Sequence, residues 1–572
     1  MKKIVMRKSD GEWQGGDLDP LLKKIYLGRG INSCDEIDYQ LKNLFPFDQL
    51  KGIDDATELL WSVLQDQGQI LIVGDFDVDG ATSTVVALKA LRAFGFENVD
   101  YLVPNRFEYG YGLSSDLVPV AARYNPDLII TVDNGISSID GVETARKLGI
   151  KVLVTDHHLP GAELPNAGAI VNPNQKGDLF PSKNLAGVGV VFYLMLAFRK
   201  LLRDKGWFGE NRLEPNLADF LDLVALGTIA DIVTLDRNNR IFVKHGVERI
   251  RYGKCSAGIR ALFHVTGRDI SAISTGDLSY VLAPRLNAAG RLDDMSLGVE
   301  CLLTDDYKKA IDMAQQLDIL NDERKAIEHD MRIQAEKELN ELQLDSDLPL
   351  GICLFDQNWH QGVVGILASR VKSKLNRPVV AFAKVDDNEI KGSARSIEGL
   401  HIKEVIEAVD AKHPELINKY GGHAMAAGIQ LGIDKYEDFC KAFLDELDQH
   451  ITEDHLYEKI WSDGELESEH FSLETANMLN NSGPWGCGFD EPVFSGRFSV
   501  LDQKLIGNKH LKLTLALPGH EQKIEAIMFF ADTEKWPNYQ CKSVSAAFKL
   551  DINKYRGRHN LQLVLAHLEP YL

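Results

Sequence analysis

Apolar and polar residues follow several distinct rhythms along this chain. From Gln69 short β-rich runs recur: QILIVGD, VDYLVP, DLIITVD, KVLVTDHH and GAIVNP. Within them ILIV, LIIT and VLVT are apolar throughout, as strands buried on both faces are. Helical stretches separate the runs, and strands alternating with helices predict crossover units and a parallel sheet. Residues 1–65 are mixed, with several turn signals, and read as an N-terminal lead-in; residues 66–240 read as the first α/β domain. Inside that domain NLADFLDLVALGTIADIVTL (216–235) predicts a buried helix followed by a loop. Residues 241–345 are helical, with APRLNAAGR near their middle, and end in a long helix from about Asp305 to Leu342. Ile311, Ala314, Leu317, Leu320, Ile327, Met331, Ala335, Leu339 and Leu342 keep its three-or-four spacing. Such a helix would span on the order of 55 Å and reads as a rigid bridge between two lobes.

The α/β rhythm returns in residues 346–435, where GICLFD and PVVAFA predict strands and GGHAMAAG a Gly-rich turn. Residues 436–475 are helical and then strongly acidic, and read as a linker. Residues 476–572 alternate apolar with polar, most clearly in LKLTLAL and LQLVLAHL. Several short strands in so few residues predict a small closed barrel of the oligonucleotide-binding (OB) type. The fold class is therefore α/β: a parallel-sheet domain and a second α/β domain joined by a long helix, followed by a C-terminal β-barrel.

A length of 572 residues fits three or four domains of ordinary size. With 44% hydrophobic and 26% charged residues, the chain as a whole is neither disordered nor collagen-like. The opening MKKIVMRKSDGEW lacks the apolar run of a secretory signal, and no segment approaches the length of a membrane span. None of the seven cysteines forms a Cys-x-x-Cys pair, so neither a zinc knuckle nor a disulfide framework is expected. They read as small buried hydrophobes in a reducing, cytoplasmic setting.

The net charge of −21 argues against a uniformly basic, histone-like surface, but the average conceals a division. Residues 305–345 hold 6 basic and 12 acidic side chains, and residues 436–475 hold 2 and 13. Residues 360–430 carry 10 against 8, and residues 501–572 carry 10 against 7. The acidity is concentrated in the connecting segments, leaving two mildly basic regions free for a polyanion.

Acidic residues and histidines stand where the strands end. Asp75, Asp77 and Asp79 follow ILIVG, Asp133 follows LIITV, Asp156, His157 and His158 follow VLVT, and Asp231 follows LGTIA. Ligands of open α/β sheets bind outside the carboxyl ends of the strands. Carboxylates gathered there stay ionised only if a cation compensates them. Carboxylate with imidazole suits Mn²⁺, and carboxylate with water suits Mg²⁺. The alternation Asp75-x-Asp77-x-Asp79 lets two side chains point the same way along extended backbone. One carboxylate could then bridge two ions, which would activate a water and stabilise the leaving oxygen of a phosphate ester.

Asp75-Phe-Asp77-Val-Asp79-Gly80, Asp133-Asn134-Gly135, Asp156-His157-His158 and Gly227-Thr-Ile-Ala-Asp231 resemble the ordered motifs of the DHH phosphoesterase superfamily. The second α/β unit, with Ser393-Ala394-Arg395-Ser396 and Gly421-Gly422-His423, resembles its DHHA1 domain. Length, motif order, long helix and terminal β domain together are similar to the superfamily's bacterial single-strand-specific DNA exonucleases. The resemblance implies 5′→3′ digestion of single-stranded DNA to mononucleotides with two Mn²⁺ or Mg²⁺ ions, in recombination and repair. It implies metal ligation by Asp75, Asp77, Asp133, His157 and Asp231, catalytic roles for Asp156 and His158, and a supporting role for Asp79. Single-strand-binding protein and a RecQ-type helicase are the partners it implies. Many superfamily members carry a His two residues before the first Asp, where this chain has Val73.

Phosphate contacts are expected from Ser393 and Arg395, whose small neighbours admit a phosphate to backbone N–H groups, and from Gly422 and His423. Arg370, and the cluster Arg285, Asn287 and Arg291, are further nucleic-acid candidates. Phe107, Tyr109, Tyr111 and Trp359 are candidate stacking faces. Lys554, Tyr555, Arg556, Arg558 and His559 are expected at a hairpin tip that could meet a strand. Two alternatives stand beside the exonuclease: a phosphoesterase for small nucleotides or short oligonucleotides, and a non-catalytic strand-binding replication scaffold. The first would not need the long helix and β domain. The second should lack metal-binding residues that this chain retains.

Overall fold

A computed structural model describes residues 2–9, 11–105, 108–342, 348–520, 522–555 and 558–571. It divides into two compact units: Asp10–Asn321 with Asn480–Glu491, and Met1–Ser9 with Asp322–Leu479 and Pro492–Leu572. Strand β1 (Lys2–Met6) belongs to the second of these.

The first unit is built on β2 (Ile70–Val73), β3 (Val99–Leu102), β4 (Leu128–Val132), β5 (Lys151–Thr155) and β6 (Ala169–Val171). All five predicted runs are strands, they pair in parallel, and their order across the sheet is β3-β2-β4-β5-β6. Leu71, Val73, Ile129, Val152 and Val154 on one face pack with Leu113, Leu117, Val142 and Ala145 in a buried cluster. Val73 is part of this core. Helices α1 (Val78–Phe94), α2 (Gly187–Asp204) and α3 (Leu221–Ala230) pack on one another. In α3, Leu221 through Ile229 are all buried, as expected for a helix apolar all round. Helix α4 (Ala283–Leu292) carries the APRLNAAGR segment.

Helix α5 (Tyr307–Leu342) is the predicted long helix, and the boundary between the units falls inside it, between Asn321 and Asp322. Its buried stripe runs Ala310, Ala314, Leu317, Asn321, Arg324, Met331, Ala335, Leu339. The period is the predicted one, but polar Asn321 and Arg324 take the stripe at the boundary, and Ile311 and Leu320 stand at its partly exposed margin.

In the second unit β7 (Ile352–Asp356), β8 (Val379–Lys384), β9 (Glu389–Arg395), β10 (Lys419–Gly422) and β11 (Ala426–Gly432) form a mixed sheet of order β10-β11-β9-β8-β7. Helix α6 (Val364–Leu375) lies against β8 and β9. Helices α7 (Ile402–Lys412) and α8 (Tyr436–His450) share a core with the sheet through Ile406, Phe439, Phe443, Ile390, Ala394 and Ile429. Three sequence expectations change here. GGHAMAAG is not one turn: Gly421 and Gly422 end β10, and Ala426 begins β11. The segment 436–475 is not a free linker. The inner face of α8 fills the core, with Glu437, Asp438, Asp445 and Asp448 exposed on its outer side and Glu446 buried, and Glu458–Ser462 form β12, which pairs in parallel with β1. The lead-in 1–65 is divided, with β1 in the second unit and helix Ile53–Gln65 packed against β6 in the first.

A closed barrel completes the second unit: β13 (Phe494–Ile506), β14 (His510–Ala516), β15 (Lys523–Met528), β16 (Ser543–Tyr555) and β17 (Arg558–Pro570), in the order β13-β14-β15-β17-β16. Residues 480–491, read from sequence as the start of the β domain, belong instead to the first unit. There Trp485 and Phe489 stack on Tyr26, and Leu235 N donates to Cys487 O at 2.8 Å. All seven cysteines are free, but only Cys301 is fully buried and Cys487 is exposed, contrary to the uniform burial expected.

Candidate functional site

The sheet order reverses its direction of growth between β2 and β4, and the crevice beyond their carboxyl ends is where such a sheet presents a ligand site. Gly74 to Asp77 leave β2 and enter α1. Asp77 is the N-cap of α1, its Oδ1 accepting from Gly80 N at 3.0 Å. A Cβ at Gly80 would stand 2.5 Å from Asp75 O, so the turn closes only around glycine. Asp79, in the first turn of α1, is 1% exposed; its two oxygens accept from Gly187 N at 2.6 Å and Val188 N at 3.0 Å. It therefore caps α2.

Asp133 follows β4 in the left-handed region, φ +62°, a costly conformation for a non-glycine residue. Asp133 N donates to Thr155 O at 3.1 Å, and Tyr111 Oη donates to Asp133 O at 3.0 Å. The neighbouring Asn134 gives its amide to Val73 O and Val132 O, tying the ends of β2 and β4 together. Gly187 closes the far side: a Cβ there would lie 2.6 Å from Asp133 Cβ.

After β5, Asp156 is saturated. Its Oδ2 accepts from Ile136 N at 2.9 Å, and its Oδ1 accepts from His157 N at 2.7 Å and His158 N at 3.0 Å and meets His158 Nδ1 at 2.7 Å. It orients the two histidines rather than opening towards a ligand. His157 Nε2 lies 3.1 Å from Asp133 Oδ1 and 3.5 Å from Asp231 Oδ2. Asp231 is the C-cap of α3, where Gly227 keeps the helix close: a Cβ there would come 2.8 Å from Asp79 Oδ1. His158 is partly exposed and touches Tyr111 Oη at 3.1 Å. Asn172 and Asn174 hold the backbone carbonyls of His158 and His157.

The electrostatics are those of a site short of positive charge. Burial, then the charges of Asp79, Asp77, Asp231 and Asp75, push the Asp133 carboxyl far above the usual range. Burial, with Asp79 and Asp77, does the same to Asp231. Asp79 is pushed up to about 7 by burial and by Asp77, against the bonds from Val188 and Gly187. Burial and the neighbouring His158 bring His157 down to about 4, leaving a neutral imidazole. Burial alone would lower His158, but its bond to Asp156 and the surrounding carboxylates outweigh it and raise the group to about 9.

Ligand atoms of Asp75, Asp77 and Asp133 lie within 4.8 Å of one another, as do those of Asp133, His157 and His158, and those of Asp79, His157 and Asp231. Asp133 Oδ1 and His157 Nε2 are buried and without a hydrogen-bond partner. Buried acceptors left open amid mutually repelling carboxylates fit divalent cations, and oxygen with imidazole is a suitable donor set for Mn²⁺. The sequence motifs named the acids and histidines; they did not reveal Tyr111 as a hydrogen-bonding neighbour of the site, nor the close approach of Gly187 and Gly227.

The expected nucleic-acid residues part company. Arg285 donates to Asp318 at 2.7 Å and to Val281 O at 2.6 Å, an internal clasp between α4 and α5. Asn287 accepts from Val78 N at 3.2 Å, and so faces the start of α1. Arg291 is partly exposed near the end of α4. Arg370, on α6, is largely exposed and pairs with Glu328 at 3.0 Å. Arg395 bonds Ser393 Oγ at 2.7 Å and Ser369 Oγ at 3.1 Å. Ser393 pairs with Gly428, and Gly428 with Gly421, so one row crosses three strands. Ideal Cβ atoms at Gly421 and Gly428 would meet nothing within 4 Å, which leaves the backbone bare between Ser393 and β10. Gly422 is different: at φ +149° it lies 2.4 Å, measured from an ideal Cβ, from Ala426 O, and so closes the turn around His423. Trp359 is not a stacking face; it is 3% exposed, with Nε1 donating to Gln334 Oε1 at 2.7 Å. Tyr109 packs against the sheet core. Phe107 and Arg556 lie outside the described residues, while Lys554 pairs with His559 in the predicted hairpin.

Family models for the DHH family N-terminal domain, the DHHA1 domain and the RecJ OB domain match residues 69–228, 348–449 and 462–567. The chain is 50% identical over 555 residues to the single-stranded-DNA-specific exonuclease RecJ of Dickeya dadantii, covering 97% of this chain and 96% of that one. It is 49% identical over 556 residues to that of Escherichia coli, with the same coverage, and 48% identical to that of Haemophilus influenzae over the whole of both chains. The fold is similar to that of RecJ from Thermus thermophilus in complex with Mn²⁺, with TM-score 0.81 and 27% identity over 97% of this chain and 76% of that one. The same protein in complex with Mg²⁺ gives TM-score 0.74 and 26% identity over 97% and 75%. A match that runs nearly end to end at about half identity, over the same three domains, makes this chain a member of the RecJ family.

Proposed function

We propose that the protein is a metal-dependent exonuclease that degrades single-stranded DNA from the 5′ end to mononucleotides. The observation that carries this reading is the gathering of Asp75, Asp77, Asp133, His157 and Asp231 beyond β2, β4 and β5, with open buried donor atoms on Asp133 and His157. These five side chains would hold Mn²⁺ or Mg²⁺, the ions named for similar RecJ structures. Bound, the ions would supply Lewis-acid chemistry, lowering the pKa of a water and offsetting charge on the phosphate.

The chain's own residues do the rest. Asp156 fixes His158, whose partly exposed ring is the hydrogen-bonding group for the scissile phosphate. Asp79 anchors the start of α2 and so the wall against Asp133. On the second unit, Ser393, Arg395, Gly422 and His423 bind phosphates of the strand. Backbone left bare at Gly421 and Gly428 lets the strand approach N–H groups closely. Arg395 is braced by Ser393 and Ser369, which fixes the direction of its guanidinium. Arg285 is assigned a structural part, because Asp318 already holds it. The 5′→3′ polarity, a cytoplasmic role in recombination and repair, and cooperation with single-strand-binding protein and a RecQ-type helicase rest on family membership.

The deciding experiment digests 5′- and 3′-end-labelled single strands with Mn²⁺, with Mg²⁺ and with chelator. Label should leave first as a mononucleotide from the 5′ end, and only with metal. Retained activity in Asp77→Ala or His157→Ala would overturn the site, and early release of the 3′ label would overturn the polarity.

A further inference from the structure

Asn287 and Gly290 are three residues apart on α4 and so share one face of it. Each meets the backbone of the Asp75–Asp79 turn. Asn287 Oδ1 accepts from Val78 N at 3.2 Å. Gly290 lies so close to Phe76 that a Cβ there would stand 1.8 Å from its carbonyl oxygen. These two contacts fall on the residues immediately before and after Asp77. We infer that α4 is a clamp on that turn and that Asn287 is a positioning residue for the metal centre, not a contact for DNA.

The physical reason lies in the first turn of α1. Helices leave their first N–H groups without intrahelical partners. Asp77 Oδ1 satisfies the N–H of Gly80. Were the Val78 N–H also unpaired, it would stand beside the same carboxylate and compete for it, turning Asp77 away from Asp75 and Asp133. The Asn287 amide oxygen satisfies that donor and fixes the 77–78 peptide, and with it the direction in which Asp77 leaves the chain. Gly290 fixes the other side by letting the Phe76 carbonyl lie flush against the helix. Both clamp residues lie outside the segment matched by the DHH-family model, residues 69–228, yet within the same compact unit.

The inference rests on the metal assignment proposed above, and the test separates the two. Mn²⁺ binding to the full chain is measured by calorimetry or by the electron paramagnetic resonance of free Mn²⁺, without DNA. Single-strand affinity is measured in chelator by fluorescence anisotropy, and folding by thermal melting. Asn287→Ala should weaken Mn²⁺ binding about tenfold, the scale of one lost hydrogen bond that strands a donor, and leave single-strand affinity in chelator unchanged. Asn287→Asp, which keeps an acceptor at the same reach, should restore Mn²⁺ binding. Undiminished Mn²⁺ binding by Asn287→Ala overturns the clamp. So does weakened single-strand affinity in chelator, which would make Asn287 a DNA contact, or failure of a folded Asn287→Asp to recover the ion. If Asp77→Ala also binds Mn²⁺ like the unaltered chain, the metal assignment itself fails; if only Asp77→Ala loses the ion, the assignment stands and the clamp falls.

Discussion

Gly187→Ala should silence the enzyme while leaving it folded. Gly187 begins α2, and a Cβ on it would stand 2.6 Å from both Cβ and Oδ1 of Asp133 and 2.8 Å from its Cα. Ordinary contact begins near 3.4 Å, so something must move by roughly 0.8 Å. Asp133 has little freedom to do so. Its backbone is already in the left-handed region, its N–H is bonded to Thr155 O, and its carbonyl accepts from Tyr111. The other way out is to shift the start of α2, which breaks the bonds from Gly187 N and Val188 N to Asp79. On either path a carboxylate of the centre leaves its place. Overpacking of this kind costs about 1–3 kcal/mol of stability. Misplacing reacting groups by about 1 Å costs on the order of 100-fold in rate. Initial rates on a 5′-labelled single strand across an Mn²⁺ titration, paired with thermal melting, test this. A variant that melts lower yet keeps its rate within about threefold would refute the view that Gly187 sets the position of Asp133.

Three further outcomes are expected. Mn²⁺ at about 100 times its dissociation constant should stabilise the protein by about 2.7 kcal/mol, seen as a rise in melting temperature absent from Asp133→Asn; an equal rise in that variant would place the ion elsewhere. Arg395→Ala should weaken single-strand binding and reduce the magnitude of its logarithmic salt slope by about 0.7, the value for one fewer phosphate neutralised, as read by anisotropy across a salt series. Trp359→Phe should cost about 1 kcal/mol of stability through the lost bond to Gln334 and leave single-strand affinity unchanged; weaker binding without destabilisation would restore Trp359 as a stacking face.

Much of the first unit was legible because its signals are local. Short β-rich runs marked all five parallel strands, three of them apolar throughout, and side chains at their carboxyl ends share an edge by topology alone. The long helix was legible through its period, and the barrel through alternation. What escaped was set by distant partners. Whether GGHAMAAG is a turn or two strands depends on β9, which supplies the ladder for Ala426–Gly432 and is remote in sequence. The acidic run 436–475 looked like a linker because its charges dominate the composition, although Phe439, Phe443 and Leu447 keep helical spacing and fill the core. Residues 480–491 seemed to open the β domain, yet the partners of Trp485 and Phe489 include Tyr26, more than four hundred residues earlier.

The same distinction explains which of the expected site residues the structure brings together. An acid at a strand end is brought to the site by the sheet, so Asp75, Asp77, Asp133 and His157 needed no knowledge of their neighbours. A basic residue carries no such constraint, since its charge is satisfied by whatever acid the fold sets beside it. Arg285 is consumed by Asp318 and Arg370 leans on Glu328, both partners coming from α5. Thus the acidity of the long helix neutralises arginines that the sequence seemed to offer to DNA. Around Arg395 two serine hydroxyls and a backbone carbonyl brace the guanidinium and fix its direction. A motif that sets small polar residues around an arginine fixes where its guanidinium points, which a count of basic residues does not.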